Sequence, residues 1–525
     1  MFSESITGYI LLCLTNAVKN CFFASHVLKL AKRLKEDFVS SRLMRILSRF
    51  VAFIKKQYDV SFFKCIVDSK EYVHEAYKKS LLCAVVCFVF SLITKVCGKI
   101  YGFIEKLAKG GITHAICSFF ANKKVFSFHS VFALLIAIMM VCPHDYWNNL
   151  YGVIFAFGLG VWFLIRVYNK KEKADFSNIN FGLVLFVLFA SVISLLSHAR
   201  GDAIRVMLFV ISSVIFALIM GSAINTKEKL FYMLKIVCIG VGVTSVIGII
   251  QRFMGVEVSA EFVDIANNSS MPGRVFSTFD NPNNFAELLV LFIPLTAALV
   301  MFLKSNKEKL LFAICLVLDF IAIAMSYSRA CWVALALAVV VMLLIYDWRL
   351  VVPICFLAIA AIPFLPQSIL DRILSIGSMN DSSNTYRLYI WKGAGRVLEN
   401  FFVSGVGAGP DNFRAFYQPL AELKAISAFH SHMIYMELII EFGIFAAIGF
   451  FGYFISVIKK GFASVKKADR ALKAVLAASV GSMVGMLFVC MAEYVWYYPR
   501  DMFMFWIVLG IITASVNIVL KEKGM

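Results

Sequence analysis

The sequence predicts an all-α protein that crosses a membrane about twelve times. The apolar share of the 525 residues is 61% and the charged share is 16%, whereas soluble chains are roughly half apolar and about a quarter charged. Twelve apolar runs approach or reach the ~20 residues that a helix needs to cross a bilayer. The basic residues between them alternate from side to side, as the positive-inside rule requires of a multi-pass protein.

Residues 1–125 differ in composition from the rest of the chain. They mix apolar and basic residues, and Leu30 and Leu34 recur at helical spacing beside Lys32 and Arg33. This pattern is typical of amphipathic helices that lie on a membrane surface. We therefore predict a basic amphipathic extension on the cytoplasmic membrane surface, with a loosely ordered regulatory segment as the alternative.

The same region is predicted to contain neither a span nor a secretory signal. The apolar run 81–96 is shorter than the ~20 residues of a spanning helix, so we predict an interfacial or re-entrant segment. The first residues include Glu4 and no early lysine or arginine, which is not the pattern of a secretory signal.

The predicted spans form one transmembrane domain over residues 126–520. They lie at about 126–143, 148–167, 180–198, 204–224, 230–250, 285–303, 309–327, 330–346, 350–366, 433–458, 474–492 and 501–520. Basic residues group in alternate connections, namely 123–124, 166–173, 227–229, 304–309, 349, 459–473 and 521–523. These connections and both termini are therefore predicted to be cytoplasmic. The short outer connections carry Arg200, Arg205 and Arg500, which are too few to reverse this orientation.

Two long connections are predicted on the outer side, at about 251–286 and 367–432. The second, between spans nine and ten, is long enough for one or two helices of its own. Loops of this length inside a compact domain are usually functional. Both contain unusual clusters of Arg, His, Trp, Asn and Gly, so we expect a functional site there rather than plain connectors.

Charge and cysteine usage exclude several classes of protein. The net charge of +19 sits in short clusters between apolar runs, which indicates contact with anionic lipid headgroups rather than with nucleic acid. The 13 cysteines are scattered, without CxxC pairs, and read as small buried apolar residues. The two outer histidines have no companion set with metal-ligand spacing, so we predict no metal and no cofactor.

Two arginines are candidate ligands for a phosphate. Arg329 stands at the outer edge, where span seven gives way to span eight, and Arg387 lies in the second outer loop, four residues before Trp391. Residues four apart share one face of a helix. The permanent charge and planar fork of arginine suit phosphate oxygens. For Arg329 the alternative is a side chain that snorkels to the membrane interface.

The first outer loop adds Arg274 as a second-tier phosphate ligand. An Asn281-Pro282 turn follows it and leads into span six. Asn283 or Asn284 either caps that span or binds sugar hydroxyls, and the residues favour neither alternative.

Two histidines, His430 and His432, precede span ten and supply a candidate base. Neutral imidazole takes up a proton near pH 7, and the alternative is an ordinary interfacial side chain. Glu437 and Glu441 follow within the span, where ionisable groups are functional candidates. Because Glu441 is about 14 Å along the helix from His432, we predict for it a structural role with a partner cation.

Together these motifs resemble the O-antigen ligase and O-antigen polymerase superfamily of bacterial membrane glycosyltransferases, over roughly 126–520. The matching elements are Phe279 with Asn281-Pro282-Asn283, Ser328-Arg329, Arg387 with Trp391, the stretch of Ser404, Gly405, Gly407 and Gly409, and His432 with Gly443. Met433 departs from the polar residue expected after the histidine. His430 is followed by Ser431, but Glu441 then occupies the glycine position, so His432 is preferred.

The resemblance implies a GT-C-like fold and an undecaprenyl-diphosphate-linked glycan as donor. It implies metal-independent, inverting transfer to an acceptor hydroxyl on the outer face of the bacterial cytoplasmic membrane. Arg329 and Arg387 would hold the diphosphate, and His432 would act as general base. The acceptor is a glycan, a lipid or a wall polymer, and both a ligase and a polymerase fit.

Two other classes of function compete with this reading. A transporter for a small solute or ion would account for intramembrane carboxylates such as Asp319, but the chain has no inverted repeat and no paired broken helices. A non-catalytic envelope-assembly scaffold would use the basic N-terminal region to recruit partners.

Overall fold

The computed structural model describes residues 70–109, 127–256, 273–376 and 382–524, together with the single residues 49, 56 and 111. The chain divides into two compact units, Met1–Lys79 and Ser80–Met525. Most of the predicted amphipathic extension, 1–125, lies outside the described residues. In the first unit the longest described element is one helix, Lys70–Lys78.

The described part of the chain is mainly helical and contains no strand, which confirms the all-α fold class. In chain order its helices are α1 (Lys70–Lys78), α2 (Leu81–Ala108), α3 (Phe128–Val141), α4 (Asn149–Tyr168), α5 (Phe181–Leu196), α6 (Arg200–Ala223), α7 (Lys227–Met254), α8 (Pro282–Phe302), α9 (Asn306–Met325), α10 (Arg329–Asp347), α11 (Val351–Ala361), α12 (Gln367–Leu374), α13 (Ser382–Phe401), α14 (Pro410–Tyr417), α15 (Ile434–Ser464), α16 (Arg470–Val489) and α17 (Pro499–Glu522).

Polar side chains fix where many of these helices begin. The first turns of α4, α5, α7, α8, α9 and α16 each donate a backbone N–H to the side chain of the preceding residue, which is respectively Asn148, Asn180, Thr226, Asn281, Ser305 and Asp469. Such caps satisfy donors that a helix leaves unpaired at its start. Of the two alternatives left open for Asn283 and Asn284, capping of α8 was wrong, because Asn281 is the cap.

Within the described residues, nine helical stretches are long and apolar enough to cross a membrane, judged by length and composition. They include Arg329–Phe364 as one stretch, which contains two of the predicted spans. Asp347 interrupts that stretch with an extended backbone, φ −156° and ψ 103°. Ser368 and Ser375 then hydrogen-bond the side chains of Tyr327 and Arg329. The 19 residues of α10 carry the chain about 28 Å away from Arg329. Since Ser375 contacts Arg329 again, the segment that contains α11 must return over the same distance.

Contacts between connections define two ends of the helix bundle. At one, here called the basic end, Lys227 pairs with Asp469 and Glu522 at 2.7 and 2.9 Å. At the other, the site end, Asn412 Oδ1 accepts from the Ala199 backbone N–H at 2.7 Å. Successive connections along the chain therefore lie by turns at the basic end and at the site end, as the predicted spans require.

Close packing of α10 against α16 brings Arg329 to the loop that follows α16. Gly481 and Gly485 lie so near α10 that an added Cβ would be 2.5 Å from the carbonyl oxygens of Ala338 and Ala334, respectively. Small residues allow this approach between membrane helices. The two helices run antiparallel, so the start of α10 faces the connection that begins at Cys490.

The segment predicted as a short interfacial run is longer than expected. Helix α2 continues from Leu81 through Lys95 and Lys99 to Ala108, and it is long and apolar enough to cross a membrane. Lysine is a good helix former, so these charges do not interrupt it. Phe90 stacks on Phe176 at the basic end, with ring centroids 4.8 Å apart. The middle of α2 therefore lies at the level of the basic end.

The predicted orientation can be tested with one reporter at each end. Leu423 at the site end is 88% exposed, and Lys466 at the basic end is also exposed. In intact cells, a membrane-impermeant maleimide is expected to label Leu423→Cys above the parent protein, and Lys466→Cys only after permeabilisation. Labelling of both variants from the same side would contradict the two-ended topology, and the reverse result would invert it.

Candidate functional site

The site end is organised around Glu493, a residue that the sequence analysis missed. Glu493 lies in the connection between α16 and α17, and its side chain is 15% exposed. Its Oε1 accepts from Arg387 Nη2 and, at 3.3 Å, from Asn283 Nδ2. Its Oε2 is 3.2 Å from His432 Nδ1. One carboxylate thus joins three residues named as site candidates from three distant segments.

Arg274 reaches the same centre through Asn283. Its Nη2 donates to Asn283 Oδ1 at 2.6 Å and its Nε donates to the Ser326 carbonyl at 2.8 Å. Burial lowers the pKa of Arg274 to about 10, with Arg372 contributing, so the side chain stays cationic at neutral pH. Asn283 therefore links a buried cation to Glu493 and does not cap α8.

Arg329 lies beside Arg274 but has other hydrogen-bond partners. Its Nη1 donates to the carbonyl and hydroxyl oxygens of Ser375 at 3.0 and 3.2 Å. Arg372, which the sequence analysis did not single out, donates from Nε to the Tyr327 carbonyl at 3.3 Å. Three arginines therefore border the short turn between α9 and α10, where Tyr327 has a positive φ of 53°.

The two histidine rings lie next to each other, tilted by 48°, but have different environments. Their ring centroids are 4.1 Å apart, and His430 also lies 4.4 Å from the ring of Tyr497. His430 Nδ1 accepts from the His432 backbone N–H at 3.1 Å. Burial, together with the neighbouring His432, holds the pKa of His430 well below its usual range. His430 is therefore neutral and uses its Nδ1 lone pair within the turn.

His432 is partly exposed and has a defined tautomer. Burial alone would raise the pKa of Glu493, but Arg387 and the hydrogen bond from His432 outweigh it and hold that pKa at about 2. An ionised carboxylate only accepts hydrogen bonds. Nδ1 of His432 must then carry the proton, which leaves the lone pair on Nε2. Its φ of 52° is unusual for a residue other than glycine, and such strained residues cluster at functional sites.

Trp391 and Glu437 hold the histidine turn in place. Trp391 Nε1 donates to the Ser431 carbonyl at 3.0 Å, and the Ser431 backbone N–H donates to Glu437 Oε2 at 2.6 Å. Arg387 and Trp391 are one turn apart on α13, and both face this region, as their spacing predicts. The tryptophan therefore contacts the backbone of the turn that carries His432.

The glycine stretch packs against a break in α15. Gly405, Gly407 and Gly409 have φ values of +63°, +101° and +97°, and Gly443 has φ +72° and ψ 169°. The break frees backbone groups, which pair across the gap: Gly407 N–H donates to the Glu441 carbonyl at 3.0 Å, and Ile444 N–H to the Phe402 carbonyl at 3.0 Å. The stretch thus fastens the outer loop to the membrane helix.

The partners of Glu441 differ from those expected. Its Oε1 accepts from the Gly409 backbone N–H at 2.9 Å and its Oε2 accepts from the Tyr494 hydroxyl at 2.6 Å. Both donors are neutral, so the predicted partner cation was wrong. The carboxylate joins the glycine stretch to the 490–498 connection, because its two oxygens bind different segments.

Sequence comparison adds an independent finding. Residues 288–451 match the model of a family described as O-antigen ligase. No curated protein matches the chain. The matched residues include Arg329, Arg387 and His432, and they are a narrower stretch than the 126–520 over which the motifs resemble that superfamily.

The match supports glycan transfer of the O-antigen ligase type in general, by a glycosyltransferase-like enzyme whose partners are a lipid-linked glycan and an acceptor. Together with the long apolar helices, it identifies a multi-pass membrane protein. Among the described residues, no group of three or more His, Cys, Asp or Glu side chains has the arrangement of a metal site. The match over residues 288–451 supports the resemblance of the chain to the O-antigen ligase superfamily.

Proposed function

We propose that this protein transfers a glycan from an undecaprenyl-diphosphate-linked donor to an acceptor hydroxyl on the outer face of the bacterial cytoplasmic membrane. The proposal rests on one observation, which is that Arg387 and His432 both contact the carboxylate of Glu493. A cation for the departing diphosphate and a base for the incoming hydroxyl are the two groups that such a transfer requires.

In the proposed reaction, His432 Nε2 takes the proton of the acceptor hydroxyl. The acceptor oxygen attacks the anomeric carbon, and the bond from that carbon to the diphosphate oxygen breaks. The diphosphate leaves with the bonding electrons, and its charge is stabilised by Arg387, Arg274 and Arg329. A single displacement from the opposite face inverts the anomeric configuration, and no step uses a metal ion.

The orientation of the molecule fits a donor presented outside. The basic end carries the lysine clusters that predict a cytoplasmic location, and the proposed site lies at the opposite end. Anionic lipids on the cytoplasmic side are then the expected partners of the basic clusters.

A transfer assay tests the proposal. The purified protein receives a lipid-diphosphate glycan and an acceptor extract from its host, in the presence of EDTA. We expect release of undecaprenyl diphosphate and a relocated or elongated glycan. Arg387→Ala should lower the rate by about 10- to 100-fold, because a charge-assisted hydrogen bond contributes about 1.5–3 kcal/mol. A ladder of product sizes would indicate a polymerase, and a single transfer would indicate a ligase.

Arg396→Ala is the matched control for this assay. Arg396 lies on the same helix and pairs with Glu422 at 2.7 Å, away from Glu493. It should retain the parental rate. If the parent releases no undecaprenyl diphosphate, or if Arg387→Ala is as active as Arg396→Ala, the proposed reaction or the proposed role of Arg387 is wrong. Solute flux without transfer would instead support the transporter.

A further inference from the structure

Glu493 lies outside the stretch that matches the family model, yet it contacts more of the proposed machinery than any other carboxylate in the described part of the chain. Its partners come from the first turn of α8, from α13 and from the turn before α15. Taking a carboxylate out of water is costly unless it is paired and hydrogen-bonded. Here the pairing is divided between a guanidinium and an imidazole.

The contact with Arg387 holds one edge of its guanidinium. Glu493 accepts from Nη2 of Arg387, and a guanidinium presents its N–H donors in a fixed planar fork. Holding one edge of the fork therefore sets the direction of the whole group, and a set direction is what a phosphate contact through this side chain requires.

The contact with His432 determines which nitrogen is the base. His432 Nδ1 is 3.2 Å from Glu493 Oε2. A carboxylate that accepts from Nδ1–H fixes the ring orientation and stabilises the imidazolium that forms when Nε2 takes a proton. The carboxylate itself is a poor base, because its pKa is held at about 2.

We propose that Glu493 is a positioning residue, whose charge both aims the fork of Arg387 and orients His432 with Nε2 toward the acceptor hydroxyl. This inference rests on the proposed function. Under this proposal, the Glu493 carboxylate links the phosphate-binding and the proton-accepting halves of the site. The negative charge of Glu493, rather than its shape, is then the feature that matters.

Several elements contribute groups that face His432. On its own turn the neighbour is His430, and from other elements they are Glu493 and Arg387, with Tyr494 and Tyr497 on the far side of His430. Glu493 is the group among these that carries a negative charge, so a neutral replacement of Glu493 removes the negative charge from this set.

Glu493→Gln is the variant that tests the proposal, since it keeps the shape and removes the charge. We expect kcat to fall by about 100-fold, with the donor KM changed much less. The preference of the neutral His432 ring for a proton on Nδ1 should also be lost, because the carboxylate that accepts from Nδ1 is gone. A purely structural role would lower activity without changing that preference.

Two controls separate the outcomes. Glu422→Gln removes the other carboxylate that binds an arginine of α13 and should leave both kcat and the His432 tautomer unchanged. Glu493→Asp keeps the charge at a shorter reach, so it should retain more activity than Glu493→Gln and keep the proton of the neutral His432 ring on Nδ1. If Glu493→Gln does not fold, this aspartate variant carries the test, and loss of the Nδ1 tautomer in folded Glu493→Asp would overturn the proposal.

The tautomer of His432 gives a readout that does not depend on activity. In ¹⁵N NMR spectra of histidine-labelled protein, the neutral ring of His432 should carry its proton on Nδ1, and this preference should be lost in Glu493→Gln. An unchanged tautomer in Glu493→Gln, or the parental kcat in that variant, overturns the role of Glu493. An inactive parent with the expected tautomer would instead count against the proposed reaction alone.

Discussion

Replacing His432 with alanine is expected to reduce glycan transfer by about 100- to 10,000-fold, the range over which general bases act. Nε2 of His432 holds the lone pair that would accept the proton, because Nδ1 faces the ionised Glu493 at 3.2 Å. Donor binding should change little, since the arginines remain. Initial rates at saturating donor, together with a donor-binding measurement, separate the two effects.

The neighbouring histidines provide controls for this experiment. His198 is exposed at the site end, and His198→Ala should have the parental rate. His430→Ala should have an intermediate effect, because His430 Nδ1 accepts from the His432 backbone and supports the turn without taking the proton. Full activity in His432→Ala would exclude His432 as the base and leave the rest of the site to be reassigned.

Gly443→Ala is expected to lower stability by about 3–5 kcal/mol, a large fraction of the total that folded domains usually have. A Cβ at this position would lie 2.3 Å from the carbonyl oxygen of Val403, and the backbone has φ +72°. That contact is with backbone, which cannot swing aside, and the conformation itself costs about 1–3 kcal/mol for other residues. Fluorescence-detected thermal unfolding should report a lower midpoint.

Gly452→Ala is the matched control for this substitution, because Gly452 lies on the same helix with nothing within 4 Å of an added Cβ. It should be neutral or slightly stabilising, since alanine favours helix more than glycine does. Equal midpoints in the two variants would show that the break at Gly443 tolerates a side chain. The fastening of the outer loop would then not depend on that glycine.

Local pattern in the sequence was enough to locate the helices of the bundle. Apolar runs and polar caps depend on neighbouring residues, so they can be read directly, as the caps at Asn148 and Asp469 illustrate. The exact cap of α8 was missed because Asn281, Asn283 and Asn284 are all plausible by type. Only the packing of Arg274 against Asn283 distinguishes them. The length of α2 was underestimated because only the apolar run 81–96 was counted, whereas the helix continues through Lys99 to Ala108.

The centre of the site could not be deduced in the same way. Glu493 is separated from His432 by 61 positions and from Arg387 by 106, and no spacing rule connects residues so far apart. In the sequence, Glu493 is a single carboxylate in a short, aromatic-rich connection at the outer side, and such a residue alone is weak evidence for a functional site. Arg274, Arg387 and His432 were named from their chemistry, and their roles remain proposals. The partners of Glu441 were hidden for the same reason, because they come from other segments.

The break in α15 also sets a length. Between Ile434 and Phe442 the helix makes about two and a half turns and rises about 13 Å, with the histidine turn above it and the glycine pairing at Gly443 below it. This rigid segment fixes the position of His432 along the helix axis and its direction around that axis, relative to the outer loop that pairs at Gly443. Adding or removing one residue within it would rotate the histidine turn by about 100° around the helix axis. The number of residues between His432 and Gly443 is thus as much a part of the site as the identity of either.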